Sequence, residues 1–326
     1  MRFLARSYYD NGYYRRKKNR YLFKIISLFF LIWTIAYILS CIFLYFRQDY
    51  LVYRFNRQIP ISFPQNLDVE LKYRDVSIGE NNSSARIHGR WFDTPKQEQP
   101  VIAIPNEPVN ILNESKTILY LGGRGGSKTQ YNSLARIQAF QQLGFSVLAI
   151  DDRGYGWSKG VLSNESRLYE DSQAAWNYLI DRRKIPPQDI IIYGESLGGA
   201  IAIDLAIKKP HAAGLIVQSS FTSMPAQIKQ LRPGLKIFPL ELILGSSFNS
   251  VDKVRSLQIP VLFLHGTEDS IVNYRMSRQL YYAAPEPKAL FYVSGGEHFR
   301  LDQPGKNSYL VAIENFIDRL IDKSGD

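Results

Sequence analysis

The chain has 326 residues, of which 45% are hydrophobic and 21% charged, and its formal net charge is +10. Residues 1–57 carry 11 basic and 2 acidic side chains and hence +9 of this charge, so the remainder is nearly neutral and offers no sign of nucleic-acid binding. The only cysteine, Cys41, excludes an intramolecular disulfide, and no Cys/His cluster has metal-ligand spacing. We therefore expect no metal ion and no cofactor.

Near the amino terminus, residues 25–46 form a stretch of 22 positions without a charged side chain. As a helix this stretch would be about 33 Å long, which matches a bilayer hydrocarbon core of about 30 Å. A buried soluble helix and a cleaved signal peptide are the alternatives, but the run is longer than a signal core and no small-residue cleavage site follows it. The sequence predicts an uncleaved transmembrane helix.

The charges on either side of this helix predict its orientation. Eight basic side chains and one acidic one precede it, whereas three basic side chains and one acidic one follow it. Because the more basic flank stays in the cytoplasm, we expect a cytoplasmic tail at residues 1–24 and the rest of the protein on the extracytoplasmic side. The following segment, 47–67, contains two prolines and is the predicted linker to a domain at 68–326.

Along this domain, apolar strand-like runs alternate with helical patterns. Two opening strands are predicted at residues 69–78 and 85–91, followed by an irregular insertion. Later strands are predicted at 117–121, 147–151, 190–193 and 214–218, and helices at 131–143, 168–183 and 197–209. Such alternation is typical of an α/β fold with a mostly parallel sheet and helices on both faces. The alternation is interrupted at 223–250, which we interpret as a short cap-like segment.

A glycine-rich loop follows the strand at 117–121. Residues 122–129 nearly match the phosphate loop G-x-x-x-x-G-K-[ST], and Asp151 resembles the magnesium-binding aspartate that ends a later strand. The match fails at Ser127, because a side chain at this position would crowd the phosphates. A nucleotide-binding protein is therefore the less favoured alternative, and we expect the charges at residues 151–153 to pair locally at a turn.

Residues 194–198 read Gly-Glu-Ser-Leu-Gly and fit the pattern G-x-S-x-G. An apolar run precedes this motif and a helical segment follows it, which is the strand–turn–helix context that exposes a serine hydroxyl at the tip of a strained turn. Gly194 and Gly198 would let the helix and the strand pass closely. The pattern predicts Ser196 as a nucleophile.

A nucleophilic serine needs a general base, and the base needs an orienting acid. Of the four histidines, only His298 combines a loop position, flanking glycines and a place after a late strand. The acid is expected between the serine and the histidine in chain order. The turn that follows His265 supplies Asp269, with Glu268 as the alternative. We predict Ser196, Asp269 and His298 as the catalytic residues.

With these motifs the chain resembles the α/β-hydrolase family, and most closely its membrane-anchored abhydrolase-domain serine hydrolases. The resemblance extends from about Leu71 to the end of the chain. It rests on six stretches, namely 119–126, 152–158, 194–199, 219–223, 265–269 and 295–298. The resemblance implies the α/β-hydrolase fold, with the family's nucleophile on Ser196, its acid on Asp269 and its base on His298.

The family's oxyanion hole uses two backbone N–H groups, which the resemblance assigns here to Leu197 and to Arg124 in the glycine-rich loop. The family usually has His-Gly at the start of that loop, where this chain has Gly122 and Gly123. Because the change keeps a backbone donor, the hole is retained, with Gly123 or Gly125 as alternative donors.

The chemistry that the resemblance implies is two-step acyl transfer through an acyl-enzyme. Esters and thioesters are favoured over amides because their leaving groups need less assistance. The membrane helix favours a small-molecule or lipid ester, or an acylated protein, as substrate. The apolar residues of 223–250 would line an acyl pocket, contact the bilayer or pack on the core. A serine peptidase and a catalytically silent interaction module at the membrane are the alternative functions.

Overall fold

The computed structural model describes residues 2–53, 71–79, 86–94, 116–123, 131–160, 164–301 and 306–322. The chain forms two compact units, Met1–Gln48 and Asp49–Asp326. The first unit is a single helix, α1 (Arg2–Phe46), which also includes the predicted tail. Its part Lys18–Phe46 contains an 18-residue window with a mean hydropathy of 2.4, none of it buried. This helix is therefore long and apolar enough to cross a membrane.

The second unit is built on one eight-stranded sheet. Its strands are β1 (Arg74–Ile78), β2 (Ile87–Phe92), β3 (Thr117–Leu121), β4 (Ser146–Asp151), β5 (Ile190–Glu195), β6 (Gly214–Gln218), β7 (Val261–Gly266) and β8 (Lys288–Val293). They lie in the order β1-β2-β4-β3-β5-β6-β7-β8. The six strands from β3 onward pair in parallel, whereas β2 pairs antiparallel with both β1 and β4. The predicted, mostly parallel α/β sheet is confirmed.

Helices precede, connect and follow these strands. They are α2 (Gln48–Val52), α3 (Tyr131–Gln142), α4 (Glu165–Asn177), α5 (Leu197–Ile207), α6 (Met224–Leu231), α7 (Leu240–Ile243), α8 (Ser250–Lys253), α9 (Tyr274–Ala283) and α10 (Lys306–Asp322). Side chains of α3 and α10, such as Phe140 and Ile313, join strand residues such as Tyr193 and Ile216 in one buried apolar cluster. The β3, β4 and β7 strands are buried along their whole length, as expected for parallel strands covered on both faces.

Side-chain caps decide where several helices begin. The Asn164 side chain accepts the Arg167 N–H, so α4 begins at Glu165, three residues before the predicted start. Beyond Asn177 the helix continues only as a π-helical turn, Tyr178–Arg182. The strand predicted from residue 69 begins at Arg74 in the described residues. Residues 95–115 of the predicted insertion and most of the linker at 47–67 lie outside the described residues, so the domain boundaries remain predictions.

The cap-like segment 223–250 contains α6, a 3-10 turn at Pro233–Ile237 and α7. Its side chains divide into two groups. Met224, Ile228 and Leu240 are buried, whereas Ile237 and Leu242 are 68% and 85% exposed. Core packing therefore accounts for the first group of apolar residues in this segment and not for the second.

The prediction that the charges at residues 151–153 pair locally is wrong for Arg153. Its guanidinium and its backbone N–H both bond to Asp171 on α4, each at 2.8 Å, and the two side chains are buried. Asp151 instead accepts the Trp157 N–H and lies 3.6 Å from the His88 ring on β2. No cluster of three or more metal-ligating side chains occurs among the described residues.

A close backbone approach joins the start of α5 to the sheet. A Cβ atom added to Gly198 would lie 2.1 Å from the carbonyl oxygen of Leu121 at the end of β3. One added to Gly194 would lie 2.3 Å from the carbonyl oxygen of Gly198. Because backbone atoms cannot move aside as a flexible side chain can, these two positions require glycine.

We predict that Gly198→Ala lowers the free energy of unfolding by about 3 kcal/mol, because the added methyl group must displace a backbone carbonyl. For a domain of this size that loss corresponds to a fall in Tm of about 6 °C or more, measurable by thermal unfolding of the detergent-solubilised chain. The matched control is Gly234→Ala, which meets no atom within 4 Å. A Gly198→Ala variant as stable as this control would contradict the proposed steric requirement.

Candidate active site

Three strand ends bring the predicted catalytic residues together. Ser196 follows β5, Asp269 lies in the turn after β7, and His298 lies in the loop after β8. Because these strands are parallel, their carboxyl ends share one edge of the sheet. The His298 Nε2 atom lies 3.2 Å from the Ser196 Oγ atom, and His298 Nδ1 lies 2.7 Å from Asp269 Oδ2. The three side chains thus form a continuous hydrogen-bonded chain.

Ser196 occupies a strained turn between β5 and α5. Its φ of 53° and ψ of −119° are unfavourable for a residue with a side chain. Neighbouring groups hold this conformation: the Ser196 N–H donates to the Gln218 carbonyl at 2.9 Å, and the Ser220 hydroxyl donates to the Ser196 carbonyl at 2.8 Å. The turn therefore presents the half-buried Ser196 hydroxyl to His298, as the G-x-S-x-G motif predicts.

The Asp269 carboxylate accepts four hydrogen bonds. Its Oδ1 accepts the N–H groups of Ile271 and Val272 at 2.9 and 2.8 Å, and its Oδ2 faces His298 at 2.7 Å and His265 at 3.1 Å. Burial alone would raise the pKa of this carboxyl, but the two imidazoles outweigh it and hold the pKa well below its usual range. Asp269 is therefore ionised at neutral pH and suited to orient a base.

Glu268, the alternative acid, has an exposed side chain, and Asp269 is the carboxylate in contact with His298. The backbone of Glu268 has a different role, because its N–H donates to the Gly296 carbonyl at 3.0 Å. A second bond, from the Gly295 N–H to Thr267 Oγ1 at 2.9 Å, joins the same two loops. These bonds set the separation between the acid and the base.

The hydrogen-bond partners of His298 define its protonation. Because an ionised Asp269 can only accept, His298 Nδ1 carries the proton, and Nε2 of the neutral ring is left to accept from the Ser196 hydroxyl. His298 is buried, and the Phe299 ring meets it edge-on at 4.9 Å between centroids. This arrangement suits a general base that takes the proton of Ser196.

Two of the predicted oxyanion donors lie among the described residues. Leu197 is the first residue of α5, so its N–H has no partner within the helix. Gly123 lies against the nucleophile, because a Cβ atom added there would be 3.1 Å from the Ser196 Cβ atom. Arg124 and Gly125 lie outside the described residues, as do Ser127 and the rest of the phosphate-loop-like sequence after Gly123.

A buried polar cluster beneath the site was not predicted from the sequence. Arg136 on α3 is fully buried, and its Nε atom lies 3.1 Å from Glu195, the residue before the nucleophile. The Tyr120 hydroxyl donates to the same carboxylate at 2.8 Å, and burial together with Glu195 raises the pKa of this phenol. Arg136 also reaches the carbonyl of Phe299, next to the base. The sequence signal that could have revealed this cluster is an arginine within the apolar helical pattern of α3.

Comparisons with known proteins identify the family of the chain. A family model described as serine aminopeptidase, S33, matches residues 113–249. The uncharacterized protein Rv2307c of Mycobacterium tuberculosis is 37% identical over 200 residues, which cover 61% of this chain and 69% of that protein. The human α/β hydrolase domain-containing protein 17B is 30% identical over 210 residues, 64% of this chain and 68% of that protein. The chain belongs to the α/β-hydrolase family.

Solved structures show the same fold. The Pyrococcus furiosus esterase Pf2001 aligns with this α/β hydrolase at a TM-score of 0.60 and 18% identity, covering 77% of this chain and 91% of the esterase. An α/β hydrolase from Vibrio vulnificus aligns at a TM-score of 0.58 and 24% identity, covering 74% and 81% of the two chains. At these identities the likeness concerns the fold alone.

We predict that Glu195→Gln lowers the free energy of unfolding by about 3 kcal/mol, because it removes the carboxylate charge that faces the buried Arg136 guanidinium. Urea unfolding of the solubilised chain measures the change. The matched control is Glu241→Gln, which breaks an exposed ion pair with Lys229 and is expected to cost less than about 1 kcal/mol. Equal losses of unfolding free energy in the two variants would show that the buried pair of Arg136 and Glu195 contributes no more to stability than an exposed pair.

Proposed function

We propose that this α/β hydrolase is a membrane-anchored serine hydrolase that cleaves carboxylic ester or thioester bonds through an acyl-enzyme on Ser196. The observation that carries the proposal is the hydrogen-bonded chain from the Ser196 hydroxyl through His298 to Asp269. A surface serine has no such relay, and its hydroxyl is a weak nucleophile at neutral pH. The strained backbone of Ser196 supports the same role, because such strain is typical of functional sites.

The first half of the reaction transfers the acyl group to the protein. His298 Nε2 removes the proton of Ser196 as its Oγ atom bonds to the substrate carbonyl carbon. The carbonyl oxygen becomes an oxyanion, which the N–H of Leu197 and a second N–H from the loop after β3 would bind. For that second donor we keep Arg124, with Gly123 or Gly125 as the alternative. The imidazolium then protonates the leaving alcohol or thiol as its bond to the carbonyl carbon breaks.

The second half releases the product. Water attacks the acyl-enzyme and gives a proton to His298, and the collapse of the tetrahedral intermediate returns this proton to Ser196. Asp269 stays ionised throughout, holding the ring in one tautomer and stabilising its positive charge. All the groups that these steps require come from the protein, and the proposed reaction uses no cofactor and no metal.

Ester and thioester substrates are preferred over peptides on chemical grounds. An alkoxide or thiolate is a better leaving group than an amide anion, so esters and thioesters depend less on protonation by the imidazolium. The aligned Pf2001 protein is named an esterase, which agrees with this preference. The matching family model is described as a serine aminopeptidase, which makes a serine peptidase the second candidate. Nitrophenyl esters, acyl thioesters and aminoacyl nitroanilides assayed side by side would separate the two.

The membrane part of the proposal rests on α1. Its apolar segment Lys18–Phe46 is unburied and long enough to span a bilayer, and the flanking charges favour a cytoplasmic amino terminus. An enzyme held at a bilayer meets substrates that are held there as well. We therefore propose a lipid ester or an acylated protein as the substrate.

We predict that a fluorophosphonate probe labels the detergent-solubilised protein and that Ser196→Ala abolishes the labelling, because the probe reacts with activated serines. Ester turnover by the variant should fall by about 10⁴-fold or more. Ser294→Ala, which removes an exposed hydroxyl in the loop of the base, is the control and should label normally. Folded wild-type protein that does not label would favour the silent interaction module.

We predict that a membrane-impermeant maleimide labels Ser294→Cys and not Ser7→Cys in sealed vesicles whose outer face is the extracytoplasmic one. Both variants are made in a Cys41→Ser background, which removes the only native cysteine. Detergent should make both cysteines reactive, which controls for local burial. Labelling of Ser7→Cys alone would reverse the proposed orientation, and labelling of both in sealed vesicles would contradict a membrane span.

A further inference from the structure

A second histidine touches the acid of the proposed catalytic chain. His265, near the end of β7, is completely buried. Its Nε2 atom lies 2.9 Å from the carbonyl oxygen of Val272 and 3.1 Å from Asp269 Oδ2, and its Nδ1 atom lies 2.6 Å from the hydroxyl oxygen of Ser277 on α9. The acyl-transfer steps do not use this side chain, although both ring nitrogens have partners.

The partners of His265 determine which nitrogen carries its proton. A backbone carbonyl and an ionised carboxylate can only accept, so Nε2 must be the donor and Val272 and Asp269 share its N–H. In the neutral ring Nδ1 is then an acceptor, and the Ser277 hydroxyl supplies the proton of that bond. The His265 ring is thus held by Ser277 of α9 on one side and donates its Nε2–H toward the acid on the other.

Asp269 Oδ2 therefore receives two imidazole N–H groups, one from His298 and one from His265. We propose that His265 is a positioning residue that orients the Asp269 carboxylate toward His298 and draws part of its negative charge away from that base. This inference rests on the proposed function, because it assigns His265 a role in the same catalytic chain. It also explains why a buried histidine precedes the acid by four residues.

The expected consequence concerns the acidic limb of the pH profile. The groups facing Asp269 are the two imidazoles and the N–H groups of Ile271 and Val272, and the groups facing His265 are Ser277, Val272 and Asp269. Removing the His265 donor leaves more negative charge on Oδ2, which stabilises the protonated form of His298. Because the reaction needs the neutral base, the acidic limb then moves to higher pH.

The test compares two substitutions of His265. In His265→Phe the ring remains but the donor is lost, so we expect the acidic limb of kcat/KM to move up by about half a pH unit or more and kcat to fall about tenfold. In His265→Gln the amide nitrogen can occupy the place of Nε2, so the acidic limb of kcat/KM and the value of kcat should both return toward wild type. Ser277→Ala, which leaves the Nε2 donor in place, is the control and should leave the limb unmoved.

A second measurement is independent of activity. The chain has only four histidines, so the full-length protein in detergent, labelled with ¹⁵N-histidine, gives a spectrum that can be assigned with His88→Gln, His211→Gln and His265→Gln. We expect wild-type His265 to show a protonated Nε2 and an unprotonated Nδ1. We expect His298 to titrate at higher pH in His265→Phe than in wild type.

The outcomes separate the inference from the proposed function. Wild-type protein that neither labels nor turns over contradicts the function, while the titration of His298 still tests the role of His265. The inference is overturned if His265 carries its proton on Nδ1, if folded His265→Phe leaves the titration of His298 unmoved or lowers it, or if His265→Gln behaves like His265→Phe. If His265→Phe does not fold, the tautomer of His265 in the wild-type protein decides.

Discussion

The backbone contact between the start of α5 and the end of β3 is the constraint on which the site depends. Gly198 meets the carbonyl of Leu121 without space for a side chain, and Gly194 meets Gly198 in the same way. This contact forces the chain to turn sharply between strand and helix, so Ser196 adopts a left-handed φ of 53°. Such strain persists only where the surroundings over-determine it. Here the glycine contacts, together with hydrogen bonds to β6 and from the loop after it, hold Ser196 in this conformation.

The parallel sheet converts this local turn into a site. The β5, β7 and β8 strands end at one edge, so the serine, the acid and the base meet there although 102 positions separate Ser196 from His298. Strand order alone would leave the loops free to diverge. The bond from the Glu268 N–H to Gly296 and the contact of Gly266 with Gly296 hold the loops of acid and base together. A hydrogen-bond relay requires this accuracy, because it weakens steeply with distance and angle.

Local signals explain what could be predicted from the sequence. The β3 and β6 strands were predicted to the residue because apolar runs bounded by polar residues or glycines mark them, and the proposed nucleophile, acid and base each follow a recognisable strand. The partners of Arg136 and Arg153 could not be predicted. Arg136 meets Glu195 from 59 positions away and Arg153 meets Asp171 from a different element, so only the packing of helices on the sheet decides these pairs.

Three carboxylates at or near this edge of the sheet share one arrangement. Asp269, Glu195 and Asp171 are each held by side chains from elsewhere in the fold, namely two imidazoles for the first and an arginine for each of the others. Because the desolvation of buried charged groups offsets much of their attraction, such contacts add little net stability. They nevertheless make it costly to move either partner out of place. Their effect is to specify geometry. The same logic applies to His265, which gives the Asp269 carboxylate one orientation and leaves His298 facing the serine.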